Sequence, residues 1–171
     1  EIGNFDSFYP DGRFFSAEEV LSLAVESRRL LPEVVLSVTV PHVLTLDNQA
    51  QLALDLVDRG VDIIQTEGGK SSHPISPGTL GLIEKASPTL AATFAISSAL
   101  KESQHDVPLM SASGLSEVTA PMAISVGANG VGIGTAVNKL NTELAMIATV
   151  KGLRQALDTS KLVAKINQSI S

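Results

Sequence analysis

The chain has 171 residues, 44% of them hydrophobic and 18% charged, enough for one domain with a sizeable core. Twelve basic against eighteen acidic side chains give a formal charge of −6 with no run of Lys and Arg, so the clustered positive face needed for nucleic acid or an anionic membrane is missing. Without cysteine there is no disulfide framework, thiol nucleophile or thiolate metal site, and no apolar run reaches membrane-spanning length.

In chain order, Glu1 to Ser7 (EIGNFDS) reads as the end of a strand, and Tyr9-Pro10-Asp11-Gly12 as a turn. Ser16 is expected to cap a helix, with Glu19 three residues on completing a capping box. Val20, Leu23, Ala24 and Leu31 share a face of that helix, and Pro32 closes it. Val34 to Val40 (VVLSVTV) is near-continuously apolar, as suits a strand buried on both faces of a parallel sheet. A helix over Asp47 to Arg59 follows, stopped by Gly60. Val61 to Thr66 is the next strand, ending in Glu67-Gly68-Gly69. Lys70 to Gly78 (KSSHPISPG) is a Ser/Pro-rich loop long enough to be a mobile lid. Leu80 to Lys85 starts a short helix, Leu90 to Ile96 is expected as a strand, and a short helix runs through Lys101.

Val107 to Val137 (VPLMSASGLSEVTAPMAISVGANGVGIGTAV) reads as strand, Ser-Gly turn, helix and strand, then a second Gly turn. Asn141 is expected to cap a last helix reaching about Leu157, and Asp158 to Ser171 is a tail or an appended helix. Strand starts near 34, 61, 90, 107 and 130 with helices between them mean βαβ units and a parallel sheet. With the fragment at Glu1 this makes six strands. The fold expected is α/β, a TIM-type (β/α)8 barrel lacking its first two βα units, since a complete barrel takes about 250 residues. Residues 1–157 would be the C-terminal portion of that barrel, so the sequence reads as part of a longer polypeptide.

The strings EIGNFDSFYPDG, LSVTVPH, DIIQTEGG, GLIEKASPTLAA, SASGLSEVTAPMA and GVGIGTAVNKL resemble the uncharacterised family of hypothetical chloroplast reading frame twenty-three, found in plastids and cyanobacteria. The similarity runs from Glu1 to about Leu157. It implies a TIM-type barrel in the chloroplast stroma or the cyanobacterial cytoplasm, and it brings no established activity.

Catalytic groups in such a barrel come from the C-terminal ends of several strands. Those ends are marked here by Asn4, Asp6, Thr39, His42, Gln65, Glu67, Ser97, Ser113 and Thr135. On VDIIQTE, Ile63, Gln65 and Glu67 share one side by alternation, which places Glu67 at the mouth if that side is the lumen. There it can act as general base, bind a sugar hydroxyl or hold a metal; the plainer alternative is a structural carboxylate hydrogen-bonded to the Gly68-Gly69 backbone. Asp6 is the second acid/base candidate, paired with Asn4 across the mouth from Glu67, unless the two only order the Tyr9-Pro10 turn. His42 follows Pro41 at a strand end, where an acid/base group can sit. The string GVDIIQ resembles a strand of class I aldolase-type barrels in which a lysine follows G-x-D-x-x; Gln65 has no amine for a Schiff base. No metal-ligand spacing is present, and no metal is expected.

Ser113-Gly114-Leu115 and Gly134-Thr135 end what read as the last two strands, where barrels frequently bind phosphate through backbone N–H groups. Flavin mononucleotide, a sugar phosphate or another phosphorylated metabolite all satisfy such a site, with Lys70 or Lys139 as extra charge. Two functions follow: a barrel enzyme on a phosphorylated small molecule, or a non-catalytic barrel serving as assembly or regulatory subunit of a plastid complex, with a protein partner or an oligomer covering open strand edges.

Overall fold

The computed structural model describes residues 1–69 and 72–170, with side chains as far as Thr159. Four strands, β1 (Ser37–Thr39), β2 (Ile63–Gln65), β3 (Leu109–Ala112) and β4 (Gly130–Gly132), form one parallel sheet in sequential order. Val38 pairs with Ile64, Gln65 with Met110, and Ala112 with Gly132. This parallel, sequential arrangement follows from the helical crossovers α1 (Ala17–Leu30), α2 (Leu46–Asp58), α3 (Gly78–Glu102) and α4 (Ala120–Ser125). α5 (Thr135–Asn138) and α6 (Glu143–Ile170) complete the chain.

Alternation sorts the sheet into two faces. Val38, Val40, Ile64 and Leu109 pack with Val20 and Ala24 of α1, Leu52, Ala53 and Leu56 of α2, and Ile96 and Leu100 of α3. Full burial of each Leu or Ile contributes about 1.5–3 kcal/mol, so this layer dominates the fold. The opposite face carries Ser37, Thr39, Gln65 and Met110, aligned by the strand register. Ser111, on the helical side, is fully buried, and its hydroxyl lies 2.8 Å from that of Thr93 on α3. α1 starts as expected: Ser16 accepts from the Glu19 N–H and Glu19 reaches back to the Ser16 N–H, a complete capping box.

Three expectations are corrected. Leu90 to Ile96 is no strand; Gly78 to Glu102 is one helix running through Pro88. Its buried residues Ala86, Thr89, Thr93, Ile96 and Leu100 recur at spacings of three and four, a helical stripe blurred in the sequence by apolar residues such as Phe94 that face solvent. The strand expected at Glu1 to Ser7 shrinks to one parallel bridge between Ile2 and Val38. Left-handed Asn4 (φ 60°) then turns the chain into short 3-10 turns over Phe5–Ser7 and Tyr9–Asp11. The sheet therefore has four strands and one bridged position rather than six strands. Finally, the last helix is capped by Thr142, whose hydroxyl accepts from the Ala145 N–H, not by Asn141, and it continues through Ile170.

The Ser/Pro-rich loop is pinned where it is described. Glu84 accepts from the Ile75 and Ser76 N–H groups and the Ser76 hydroxyl, which hold its carboxyl below the usual range, the side-chain hydroxyl most of all. The Ser72 hydroxyl reaches the carbonyls of Gly69 and Lys85. Lys70 lies outside the described residues.

Candidate site at the C-terminal strand ends

Glu67 stands two residues past β2 and is buried, with 3% of its surface exposed. One carboxylate oxygen, Oε2, accepts from the Asp6 N–H at 3.0 Å. The other, Oε1, accepts from the His42 N–H at 3.1 Å and from the Tyr9 hydroxyl, and it lies 3.3 Å from His42 Nδ1. Each oxygen thus receives a backbone N–H, a group that can only donate, so the carboxylate form, with acceptors alone, satisfies the whole cluster. Burial, then the hydrogen bond to Glu67 and its charge, push the Tyr9 phenol far above its usual range and keep it an O–H donor. The Tyr9 ring also packs against His42, with centroids 5.4 Å apart, and stacks on Phe14.

The local fold delivers these groups together. The left-handed turn at Asn4 brings Asp6 and Tyr9 over the end of β2. The amide of Gln49 on α2 donates to the carbonyls of His42 and Leu44, fixing the loop after β1. Gly68 (φ 134°) leaves open the space beside His42: a Cβ there would sit 3.5 Å from His42 Cβ and 3.0 Å from Pro88 Cβ.

Of the expected residues, Glu67, Asp6 and His42 meet in this cluster, though Asp6 approaches Glu67 by its backbone rather than from across a mouth. The Glu67 partners are Asp6, Tyr9 and His42 instead of the Gly68-Gly69 backbone. Gln65 is buried and donates to the Ser37 hydroxyl at 2.6 Å, and Thr39 is buried where Gly3 passes so closely that a Cβ on Gly3 would meet Thr39 Oγ1 at 2.2 Å. Asn4 is exposed, and its carbonyl accepts from the Ser7 N–H. Sequence reasoning missed Tyr9 as a site residue. The signal was available, because five of the six aromatic residues fall within the first fifteen positions. Gln49 carried no such signal.

The two Gly turns lie side by side, since Ala112 pairs with Gly132, Ser113 follows β3 directly and Gly134 stands two residues past β4. Ser113 (φ 76°) and Gly114 (φ 73°) are both left-handed, a conformation costly for serine. Ser113 is bound on both sides: its hydroxyl accepts from the Gly69 N–H at 2.9 Å, and its carbonyl accepts from the Thr89 hydroxyl at 2.8 Å. The Leu115 side chain belongs to a small core with Ala86, Ala123 and Ala128, so only its N–H is available to a ligand. Gly134 and Thr135 are exposed. Among the described residues, no acceptor reaches the N–H groups of Gly114, Leu115, Gly134 and Thr135. Among the described residues, three or more His, Asp or Glu side chains do not gather in a group able to hold a metal, and no helix is long and apolar enough to cross a membrane.

Known proteins match both the sequence and the fold. The chain is 39% identical over 171 residues to the uncharacterized protein ycf23 of Pyropia yezoensis, covering 99% of this chain and 61% of that protein. It is 40% identical over 163 residues to the protein of the same name from Cyanophora paradoxa, covering 95% and 65%. The chain thus spans about three fifths of the length of these relatives, which are plastid-encoded. In structure it is similar to a chain in the crystal structure of the Amycolatopsis orientalis BexX/CysO complex, with a TM-score of 0.56, covering 86% of this chain and 50% of that one at 16% identity, a likeness of fold alone. The family model described as "Protein of unknown function (DUF561)" matches residues 1–163, and the chain belongs to that family.

Proposed function

We propose that the chain is the C-terminal portion of a (β/α)8 barrel that binds a phosphorylated small molecule, in the plastid stroma or, for a cyanobacterial member, the cytoplasm. The barrel reading is supported by parallel strands in sequential order with helices packed on one face, and by a fold neighbour matched over half its length. Four strands and the Ile2 bridge occupy five positions, so three further strands close an eight-stranded barrel.

One observation carries the ligand class: the two Gly turns are adjacent by strand register, with the N–H groups of Gly114, Leu115, Gly134 and Thr135 left without acceptors among the described residues. Several neutral donors around one anion make charge-assisted hydrogen bonds, and phosphate offers enough oxygens to take them all. Inorganic phosphate, a sugar phosphate and flavin mononucleotide share this group. The Glu67 cluster, at the same ends of β1 and β2, supplies the ionisable groups an enzyme on such a ligand needs. Glu67 and Asp6 are its carboxylates.

The test is a thermal-shift and calorimetric titration with inorganic phosphate, then flavin mononucleotide and sugar phosphates, against wild type and Gly134→Asp. A Cβ at Gly134 meets nothing nearer than Asn138 Nδ2 at 3.9 Å, so the variant keeps its fold while placing a carboxylate among the donors. At a ligand concentration of 100 times Kd, linkage adds about 2.7 kcal/mol to wild type and nothing to the variant. Equal responses from the two proteins overturn the phosphate reading.

A second reading, an accessory subunit, is favoured by the row Leu144, Ile147 and Val150 on α6, exposed by 78%, 44% and 51%. Sedimentation of wild type against Ile147→Glu tests it, and a monomer in both cases removes self-association from that reading.

A further inference from the structure

We propose that His42 Nε2 is the proton-transfer group of this site, and that Glu67 and Tyr9 are positioning residues which set its tautomer and aim its ring. The proposal rests on the phosphate-ligand reading only for the identity of the ligand.

The geometry first removes the more obvious candidate. Glu67 is almost wholly buried, and both its oxygens are taken by donors: Asp6 N–H on Oε2, and the His42 N–H with the Tyr9 hydroxyl on Oε1. A carboxylate so occupied has little lone-pair capacity left for a ligand. His42 Nδ1 faces the same Oε1 at 3.3 Å. The carboxylate can only accept, so Nδ1 carries the proton, and the lone pair of the neutral ring falls on Nε2. Among the described residues Nε2 has no hydrogen-bond partner, and 16% of the side chain remains exposed.

A carboxylate behind Nδ1 and an open Nε2 is the arrangement that makes a histidine a directed base and stabilises the imidazolium it becomes. Among the described residues, Glu67 after β2 and Tyr9 from the N-terminal turn are the titratable groups against the ring, with the Asp6 carboxylate acting on Tyr9. α2 contributes the uncharged amide of Gln49, and α3 contributes Pro88 across Gly68.

The step is a simple one. Nε2 takes one proton from an acidic C–H or O–H of the bound ligand, the bonding pair stays on the ligand, and the imidazolium returns the proton to the ligand or to water. This selects phosphorylated compounds with a carbonyl or hydroxyl group near the phosphate. With Gln65 at the strand position where an aldolase-type lysine would stand, no imine is needed.

Two measurements on the intact protein test the proposal. Long-range proton–nitrogen correlation spectra of the 15N-labelled chain, assigned with His42→Gln, report each imidazole tautomer near neutral pH. His42 is expected as the Nδ1–H form, with His73 in the Nε2–H form usual for free histidine and His105 in the same form, since its Nε2 faces Asp58 at 3.5 Å. Carbethoxylation with diethyl pyrocarbonate attacks an unprotonated Nε2, and His42 is expected to react about as fast as the loop residue His73 despite its lower exposure. Glu67→Gln should release the tautomer to Nε2–H and slow carbethoxylation of His42 several-fold, whereas Tyr9→Phe, which leaves the carboxylate in place, should keep the Nδ1–H form. If wild-type His42 is in the Nε2–H form, or reacts no faster in wild type than in Glu67→Gln, the proposal is overturned. The wild-type spectrum decides even if a variant fails to fold. Gly134→Asp separates the two readings: loss of phosphate binding with the His42 tautomer intact leaves the phosphate site standing, and no phosphate response in wild type with that tautomer present overturns the ligand reading alone.

Discussion

Gly69→Ala tests how tightly the turn after β2 is joined to the Ser113-Gly114 turn. A Cβ at Gly69 would lie 2.1 Å from Gly114 Cα, 2.2 Å from Gly114 N and 2.6 Å from Ser113 C, all backbone atoms. Carbon atoms pack at about 3.5–4.0 Å, so the Ser113-Gly114 turn has to retreat by roughly 1.5 Å. Overpacking of this kind costs about 1–3 kcal/mol. The retreat also breaks the Gly69 N–H to Ser113 Oγ and Thr89 hydroxyl to Ser113 carbonyl bonds, each worth about 1 kcal/mol. The sum, about 3–5 kcal/mol, is a large share of a total stability of about 5–15 kcal/mol, and at roughly 2–4 °C per kcal/mol it lowers Tm by about 10 °C. Gly69 is not left-handed, so the whole cost is contact. Gly130→Ala is the control: nothing lies within 4 Å of its added Cβ, its φ is not positive, and the change should be neutral or stabilising by up to about 1 kcal/mol. Urea unfolding followed by circular dichroism reads both. A Gly69→Ala midpoint equal to wild type would show that the two loops are not in backbone contact, and the placement of the Ser113-Gly114 turn would lose its support.

Thr93→Val keeps the shape of the side chain but strands the buried Ser111 hydroxyl, for a cost of about 1–3 kcal/mol. Adding Ser111→Ala should restore part of that, and strictly additive urea midpoints would deny the contact. The Leu36 N–H and then Arg28 hold the Asp62 carboxyl below its ordinary value of 3.8, so the unfolded chain binds the proton more readily. The contribution of Asp62 is therefore complete above that value and is lost as pH falls through the lower folded value. Asp62→Asn should flatten the acid limb of stability against pH below about 4, and an unchanged limb would assign that loss to other carboxylates.

Much of the fold was legible because the rules involved are local. The Ser16–Glu19 capping box, the helix ended by Gly60 and the β-branched run around Val38 each state their structure within a few residues, and helices between strands leave parallel pairing as the outcome. The adjacency of the two Gly turns followed from the same order. The segment 78–102 was misread because local pattern failed there. Its helical stripe is built of small residues and threonines, and Phe94 and Leu80 on the solvent side make the apolar count nearly uniform around the helix. Tertiary packing against β3, including the Thr93–Ser111 hydroxyl pair, selects the helix.

The site divides in the same way. Alternation along β2 was enough to set Gln65 apart from Ile64, and a carboxylate two residues past the strand was a reasonable candidate. What Glu67 does depends on residues 25 to 61 positions away in the chain: Asp6 and Tyr9 reach it because one left-handed residue, Asn4, folds the N-terminal segment over the strand ends, and His42 because Gln49 fixes the loop after β1. Those contacts are set by three-dimensional closure rather than by spacing. They make the most conspicuous carboxylate an acceptor already in use, with the His42 ring beside it.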